Sequence, residues 1–274
     1  MQYTGDGVAI TLFGLEIRWY AVFIVTGMML ALYLLSRQMK RRHIDPDLAY
    51  DIALWVLPFG IIGARLWYVL FESARFPTFW SVINLRSGGL AIQGGIMAGL
   101  LVALVWSKKK HFSLFRLTDM IVPGLALAQG IGRWGNFTNN EAHGGLTDLP
   151  WGLWIDGQRY HPTFLYESVG DILLCLFLFW ALRRLVKRDG QATALYFIGY
   201  GLLRFFVEGL RTDSLYWGPI RVAQALSLIG IVVGIVALLF FQKQAPNAHL
   251  LGKNPADPKE VARAEGDLWQ ERKA

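Results

Sequence analysis

The sequence predicts an all-α polytopic membrane protein with seven transmembrane helices, and three observations support this class. Hydrophobic residues make up 54% of the 274-residue chain and charged residues only 17%, whereas soluble domains carry about 25% charged residues. Several apolar stretches reach the ~20 residues that a helix needs to cross a hydrocarbon core. Basic residues cluster beside those stretches, which is typical of topology signals in membrane proteins.

The predicted spans are continuous apolar segments. They lie at about 15–36, 48–71, 89–107, 114–132, 162–184, 192–210 and 220–242. Backbone N–H and C=O groups find no water to bond inside a bilayer, so a long continuous span must satisfy them internally as a helix. A strand of a membrane barrel needs only about 9–11 residues. The lengths therefore favour helices throughout.

Clusters of lysine and arginine predict the orientation. They follow the first, third and fifth helices: Arg37, Lys40, Arg41 and Arg42; Lys108, Lys109 and Lys110; Arg183, Arg184, Lys187 and Arg188. Such clusters mark cytoplasmic helix ends, so we expect the N-terminus outside and the C-terminus in the cytoplasm. Residues 1–242 then form the transmembrane domain, 133–161 a small extracytoplasmic head between helices 4 and 5, and 243–274 a polar cytoplasmic tail.

Charge and cysteine content argue against several other classes. The formal charge is +7, but the basic clusters lack the interleaved aromatic residues of a nucleic-acid surface, so no nucleic-acid partner is expected. The lone Cys175 lies in the apolar stretch DILLCLFLFW and is expected to serve only packing. No G-x-S-x-G or H-E-x-x-H motif occurs. We therefore expect no metal and no cofactor.

The most polar stretch lies at the outer end of the fourth helix and reads GRWGNFTNNEAHGG, residues 132–145. The planar guanidinium of Arg133 can hold two phosphate oxygens. The Asn136 amide and the Glu141 carboxylate can bond around it, and Gly144 permits close backbone approach. The alternative is an interfacial loop that extends its charges into water. The stretch alone leaves both interpretations open.

A second polar group lies on the sixth helix, in GYGLLRFFVEGLR. Arg204, Glu208 and Arg211 are spaced i, i+4 and i+7, which predicts that they share one helical face. They form either a self-neutralising ladder of ion pairs or a second cationic site whose geometry Glu208 fixes. Ionisable residues inside a membrane are functional candidates by default.

Three further polar residues belong to the same outer side. His161 begins the motif HPTFLYE at the start of the fifth helix, and Glu167 ends it about one turn inside. Tyr20 lies in the outer part of the first helix, where an aromatic-belt residue is the alternative interpretation. We therefore expect two arginines, several amides and two or three carboxylates to gather at the outer interface.

These motifs, in this order, resemble the bacterial prolipoprotein diacylglyceryl transferases. The stretch 132–145 is similar to that family's signature Gly-Arg-x-Gly-Asn-Phe-x-Asn-x-Glu, and the likeness continues through IRWY, GGLAIQGG, HPTFLYE, RFFVEGLR and RVAQALSL, over roughly residues 10–242. The resemblance implies a multi-pass enzyme of the bacterial cytoplasmic membrane with its active site toward the outer face. Such an enzyme transfers the diacylglyceryl group of phosphatidylglycerol to the lipobox cysteine thiol of lipoprotein precursors, forming a thioether and releasing glycerol phosphate.

The resemblance also implies roles for individual residues. Catalytic roles fall to Arg133, Arg204, Asn136, Glu141 and Tyr20, and substrate contacts to Arg133, Arg204, Arg211, Glu208, Gly144, Glu167, Gln93 and His161. Gln93 departs from well-known members, which carry a histidine there that has been proposed as the base. A glutamine amide cannot take up a proton at working pH. We therefore expect the arginines to act electrostatically on the leaving phosphate, while Glu141, Glu167 or His161 assists proton removal.

Two rival functions fit part of the pattern. Paired arginines inside a helical bundle also suit a membrane transporter for an anionic solute. A lipid-binding scaffold without catalysis is the other rival. The polar residues gather at one face and no internal repeat is visible, which disfavours the transporter.

Overall fold

The computed structural model describes residues 7–12, 15–85, 88–139 and 141–243. Its α-helices are α1 (Trp19–Arg41), α2 (Asp47–Phe71), α3 (Phe79–Ile83), α4 (Ile92–Lys109), α5 (Leu114–Thr138), α6 (Thr163–Arg184), α7 (Gln191–Leu210) and α8 (Val222–Gln242), with a 3₁₀ turn at Ser73–Arg75. Antiparallel pairs are formed by β1 (Val8–Leu12) with β2 (Leu15–Arg18), β3 (Leu153–Ile155) with β4 (Gln158–Tyr160) and β5 (Tyr216–Trp217) with β6 (Ile220–Arg221). Except for Lys243, the predicted tail lies outside the described residues.

Each predicted span coincides with a helix, and the described residues form a mostly helical polytopic membrane protein. Six helices are long and apolar enough to cross a bilayer: α1, α2, α5, α6, α7 and α8. The seventh predicted span corresponds to α4, which has 18 residues and ends on Lys108 and Lys109. An 18-residue apolar window in α4 therefore includes both lysines, which lowers its hydropathy.

Three predicted helix boundaries are wrong by four residues or more. The first helix ends at Arg41 rather than at residue 36. The first helix does not begin at residue 15, because residues 15–18 pair with β1 and the Trp19 N–H donates to the Gly7 carbonyl at 2.9 Å. The β-branched residues of this hairpin favour strand over helix. The head does not begin at residue 133, because α5 continues to Thr138. Arg133 and Asn136 consequently stand on a helix rather than in a loop.

The chain divides into two compact units, residues 1–34 with 118–274 and residues 35–117. In the first unit, α5, α6 and α7 share an apolar core of Val122, Ala126, Leu174, Cys175, Leu178, Val186, Ala192 and Tyr196. Asp119 on α5 caps the start of α7, since its carboxylate accepts the N–H groups of Gly190 and Thr193 at 2.8 Å each. A carboxylate at a helix N-terminus satisfies free N–H groups and the helix dipole.

In the second unit, a buried arginine on α2 holds the connection between α2 and α4. Arg65 donates to the carbonyl oxygens of Ser81 and Val82 at 2.7 Å, to those of Asn84 and Gly89 at 2.9 Å, and to that of Gly88. A guanidinium has five N–H donors. The backbone carbonyls therefore satisfy it completely.

Candidate active site

Glu167 joins the two arginines that the sequence singles out. Its Oε2 pairs with Nε of Arg133, and its Oε1 accepts from Nη1 of Arg204. Nη2 of Arg204 also pairs with Oε2 of Glu208 at 2.6 Å, across one turn of α7. Helices α5, α6 and α7 thus bring four charged side chains into one network. The expectation that the two guanidinium groups come together is confirmed.

Burial explains why these charges are paired. Glu167 and Glu208 are each 2% exposed, and an unpaired buried charge is strongly destabilising. The side chains of Arg133 and Arg204 are 21% and 18% exposed, so each arginine keeps an accessible edge. The nearest further partner of Arg133 is the Tyr200 hydroxyl, 3.5 Å from Nη2. The terminal nitrogens of Arg133 can therefore bind oxygens of an anionic ligand.

The carboxylate of Glu141 contacts the end of α5. Its Oε1 accepts from the amide nitrogens of Asn139 at 3.3 Å and Asn136 at 3.5 Å. The Glu141 N–H donates to the Asn136 carbonyl at 3.0 Å. Asn136 and Glu141, predicted as one signature, are therefore in contact, and Glu141 remains exposed.

Gly144 lies where the head meets the end of α7. Its N–H donates to the His161 carbonyl at 2.8 Å, and the Gly145 N–H donates to the Leu210 carbonyl at 3.0 Å. A Cβ at Gly144 would lie 2.6 Å from the Cβ of His161 and 2.8 Å from the Leu210 oxygen. Any other residue would push the head away from α7, which explains the glycine.

Tyr20 packs against α5 beside the arginine. A Cβ at Gly135 would lie only 2.5 Å from Cδ2 of Tyr20, so the tyrosine ring rests directly on the glycine backbone. Gly135 stands between Arg133 and Asn136 on α5. Tyr20, which is partly exposed, therefore lies at the turn of α5 that carries Arg133 and Asn136.

His161 is half-buried and is oriented by the head. Its Nδ1 lies 3.3 Å from the Tyr166 hydroxyl, which also accepts from Nε1 of Trp151 at 3.2 Å. Its backbone N–H donates to the Gly145 carbonyl at 2.9 Å. The histidine therefore belongs to the same head segment as Gly144.

The prediction that Arg211 shares a helical face with Arg204 and Glu208 is wrong. Helix α7 ends at Leu210, and Arg211 is extended, with φ −74° and ψ 146°. Its guanidinium instead binds both oxygens of Asp213, at 2.9 and 2.7 Å. These hydrogen bonds hold the pKa of the Asp213 carboxyl below its usual range.

Gln93 belongs to the other compact unit. It lies in the first turn of α4, where its side chain is exposed. The other predicted site residues all lie in the unit formed by residues 1–34 and 118–274.

The sequence analysis missed several polar residues of this unit that lie outside the four-residue charge network. Arg221 donates to the Glu208 carbonyl and, at 2.8 Å, to the Tyr216 hydroxyl. Asp171 lies on α6 one turn beyond Glu167 and is completely buried. An acidic residue inside an apolar span is a signal that could have identified Asp171. Asp213 lies in a short polar connection, where no sequence pattern distinguishes it.

Comparison with known proteins gives a consistent result. A family model described as prolipoprotein diacylglyceryl transferase matches residues 7–240. A relative from Finegoldia magna named phosphatidylglycerol--prolipoprotein diacylglyceryl transferase is 45% identical over 240 residues, covering 87% of this chain and 97% of the relative. Relatives with that name from Clostridioides difficile (45% over 245 residues; 88% and 98% covered) and, numbered 1, from Clostridium perfringens (46% over 243 residues; 85% and 93% covered) are similar.

Proposed function

The chain belongs to the prolipoprotein diacylglyceryl transferase family, and from this premise we propose how it carries out that reaction. It is a transferase that moves the diacylglyceryl group of phosphatidylglycerol to lipoprotein precursors, the first step of lipoprotein maturation. The acceptor is the lipobox cysteine thiol. The observation that carries the assignment to this site is that Glu167 contacts both Arg133 and Arg204.

The two arginines bind the phosphodiester of the lipid. Glu167 holds their charges side by side, and their accessible edges receive the phosphate oxygens. Glu208 fixes Arg204 from the same helix. Because these donors are already in place, they stabilise the charge that develops on the leaving phosphate without reorganisation.

The chemical step is a substitution at a glycerol carbon. The thiol sulfur forms a bond to the carbon that carries the phosphate, the C–O bond breaks, and glycerol phosphate leaves. The thiol proton passes to a base. Both oxygens of Glu167 are in ion pairs. This favours the exposed Glu141 or the half-buried His161 as the base that takes up the thiol proton. A thiol titrates near pH ~8.5, so a fraction is already thiolate at neutral pH.

We also propose seven spans, with α4 as the third, the N-terminus outside and the site toward the outer face of the bacterial cytoplasmic membrane. The basic ends of α1, α4 and α6 support this orientation. Cys175 is buried, so a single cysteine introduced at an exposed position reports its side of the membrane. We expect a membrane-impermeant maleimide to label Asp148→Cys in intact cells and Asp45→Cys only after permeabilisation. The reverse pattern would overturn the orientation.

The activity test uses purified protein in detergent, phosphatidylglycerol labelled in its headgroup, and a lipobox peptide. We expect glycerol phosphate and lipidated peptide to appear in equal amounts, and neither to appear with a peptide whose cysteine is replaced by serine. Movement of an anionic solute across vesicles without peptide lipidation would instead support the transporter, and lipid binding without either would support a scaffold.

A further inference from the structure

Asp171 is a buried carboxylate near the two arginines. The reaction scheme above gives it no role. Asp171 is 0% exposed, and neither of its oxygens has a hydrogen-bond partner among the described residues. The charged and titratable groups that act on it come from all three helices of the site: Arg133 on α5, Glu167 on α6, and Arg204, Tyr196 and Tyr200 on α7. Asp171 is therefore within electrostatic reach of both arginines.

The backbone places Asp171 at the contact between α5 and α6. A Cβ at Gly130 would lie 3.2 Å from the Cβ of Asp171 and 3.0 Å from the Ser168 carbonyl oxygen. Gly130 precedes Arg133 by about one turn of α5. Asp171 likewise follows Glu167 by four residues, on the same face of α6. It consequently lies one turn deeper in the bundle than the arginine network.

A purely structural role does not account for this carboxylate. Buried polar groups are usually hydrogen-bonded, and leaving one without a partner is destabilising. Asp119, the other fully buried aspartate of this unit among the described residues, shows the usual arrangement, because it accepts from Gly190 and Thr193. The opposite charges that act on Asp171 are those of Arg133 and Arg204, so its carboxylate exerts its effect on the two arginines.

We propose that Asp171 is a positioning residue that weakens anion binding by the arginine pair and thereby promotes release of glycerol phosphate. The inference rests on the proposed function. The phosphodiester of the substrate carries one negative charge, whereas a phosphomonoester carries close to two at neutral pH. Coulomb energy is proportional to ligand charge. In its ionised form, the Asp171 carboxylate therefore repels the product about twice as strongly as the substrate.

The central test replaces Asp171 by asparagine, which keeps the shape and removes the charge. We expect KM for phosphatidylglycerol to fall about threefold and the inhibition constant of glycerol phosphate to fall about tenfold, roughly the square of the first factor. The value of kcat should fall because the product leaves more slowly. Asp171→Glu retains the charge and should restore the wild-type constants. Equal factors, unchanged constants, or an Asp171→Glu variant like Asp171→Asn would overturn the inference.

Asp119→Asn serves as the matched control. Asp119 is a buried aspartate about 21 Å from Arg133 along α5. Its replacement should lower Tm while leaving the ratio of the two constants unchanged. If the wild-type protein transfers lipid but the Asp171→Asn ratio does not change, only the inference fails. If the wild-type protein releases no glycerol phosphate, the proposed function fails.

A second measurement uses the wild-type protein alone and needs no variant to fold. Calorimetry in detergent would compare glycerol phosphate with glycerophosphoglycerol, the deacylated phosphodiester headgroup. Glu167 and Glu208 already balance the charges of Arg133 and Arg204, and the further negative charge of Asp171 opposes the more highly charged ligand. With Asp171 in place, we expect the monoester to bind no more tightly than the diester. A monoester that binds about tenfold tighter would contradict the proposal.

Discussion

Arginines of the helices occur with carbonyl or carboxylate partners in both compact units, and the kind of partner differs between the units. In residues 35–117, Arg65 gives its five donors to backbone carbonyls of one connection. In the other unit, Arg133 and Arg204 pair with carboxylates and keep accessible edges. A guanidinium saturated by main chain stabilises a fold, whereas one paired with side chains can exchange partners for a ligand. The chemistry of its partners is therefore one criterion for recognising an arginine that can bind a ligand.

The sharpest test of this comparison is Arg133→Ala. We expect kcat for lipid transfer to fall roughly 100- to 1,000-fold, because a fixed stabiliser of the leaving charge is lost. The folded protein should remain, since Glu167 keeps its pair with Arg204. The lipid-transfer assay measures kcat, and size-exclusion chromatography in detergent measures folding. Activity within a few-fold of wild type would show that Arg133 is not needed for lipid transfer.

Arg65→Ala should have the opposite profile. We expect a loss of stability of about 3 kcal/mol, because five partly buried hydrogen bonds to backbone carbonyls are lost. Thermal unfolding in detergent measures this change. Protein that remains folded at low temperature should show a near-normal KM for phosphatidylglycerol. An unchanged Tm together with a large increase in KM would assign Arg65 to the lipid site instead.

Gly144→Ala tests whether the head must contact α7. The added methyl group would meet the Leu210 carbonyl and His161, and overpacking of this kind costs about 1–3 kcal/mol. We expect a lower Tm and reduced transfer together. Gly145→Ala is the matched control, because a Cβ at Gly145 meets no atom of the described residues within 4 Å. Equal effects of the two substitutions would refute the packing argument.

Gln93→Ala should change transfer only modestly, since an amide cannot serve as a general base. We expect kcat within about tenfold of wild type, measured beside Arg133→Ala. If Gln93→Ala abolished turnover while Arg133→Ala left it intact, the electrostatic mechanism would be wrong.

The smallest effect concerns Arg211 and Asp213. Because the pKa of Asp213 is lower in the folded state, its contribution to stability is present above the unfolded pKa of about 3.9 and is lost as pH falls through the folded value. The aspartate is about half exposed, so we expect Asp213→Asn to cost less than about 1 kcal/mol at pH 7. The cost, measured as the change in Tm, should vanish once the pH falls below the folded-state pKa of Asp213. A difference that persists there would point to a role other than charge pairing.

The sequence predicts the helices better than it predicts the contacts. Each apolar span coincides with a helix, because length and hydropathy dominate in a bilayer. The start of α1 was misplaced because residues 15–18 satisfy their backbone in a hairpin, which depends on pairing with β1. The sequence predicts that Arg133 and Arg204 lie near each other, but it does not predict that Glu167 pairs with both, since sequence spacing cannot report contacts between α5, α6 and α7. The helical face predicted for Arg211 is wrong because helical spacing does not apply one residue past the end of α7.

The main-chain hydrogen bonds of Gly144 and Gly145 bear on where this chain could accept an inserted residue. They join the stretch after α5 both to His161 and to Leu210, and backbone pairing of this kind tolerates changes of side chain but not a shift of register. A residue inserted between Gly144 and Gly145 would therefore break one of these two contacts. The turn at Asp156 and Gly157, where both residues have positive φ, lies at the tip of the β3–β4 hairpin, where an inserted residue would leave both contacts in place.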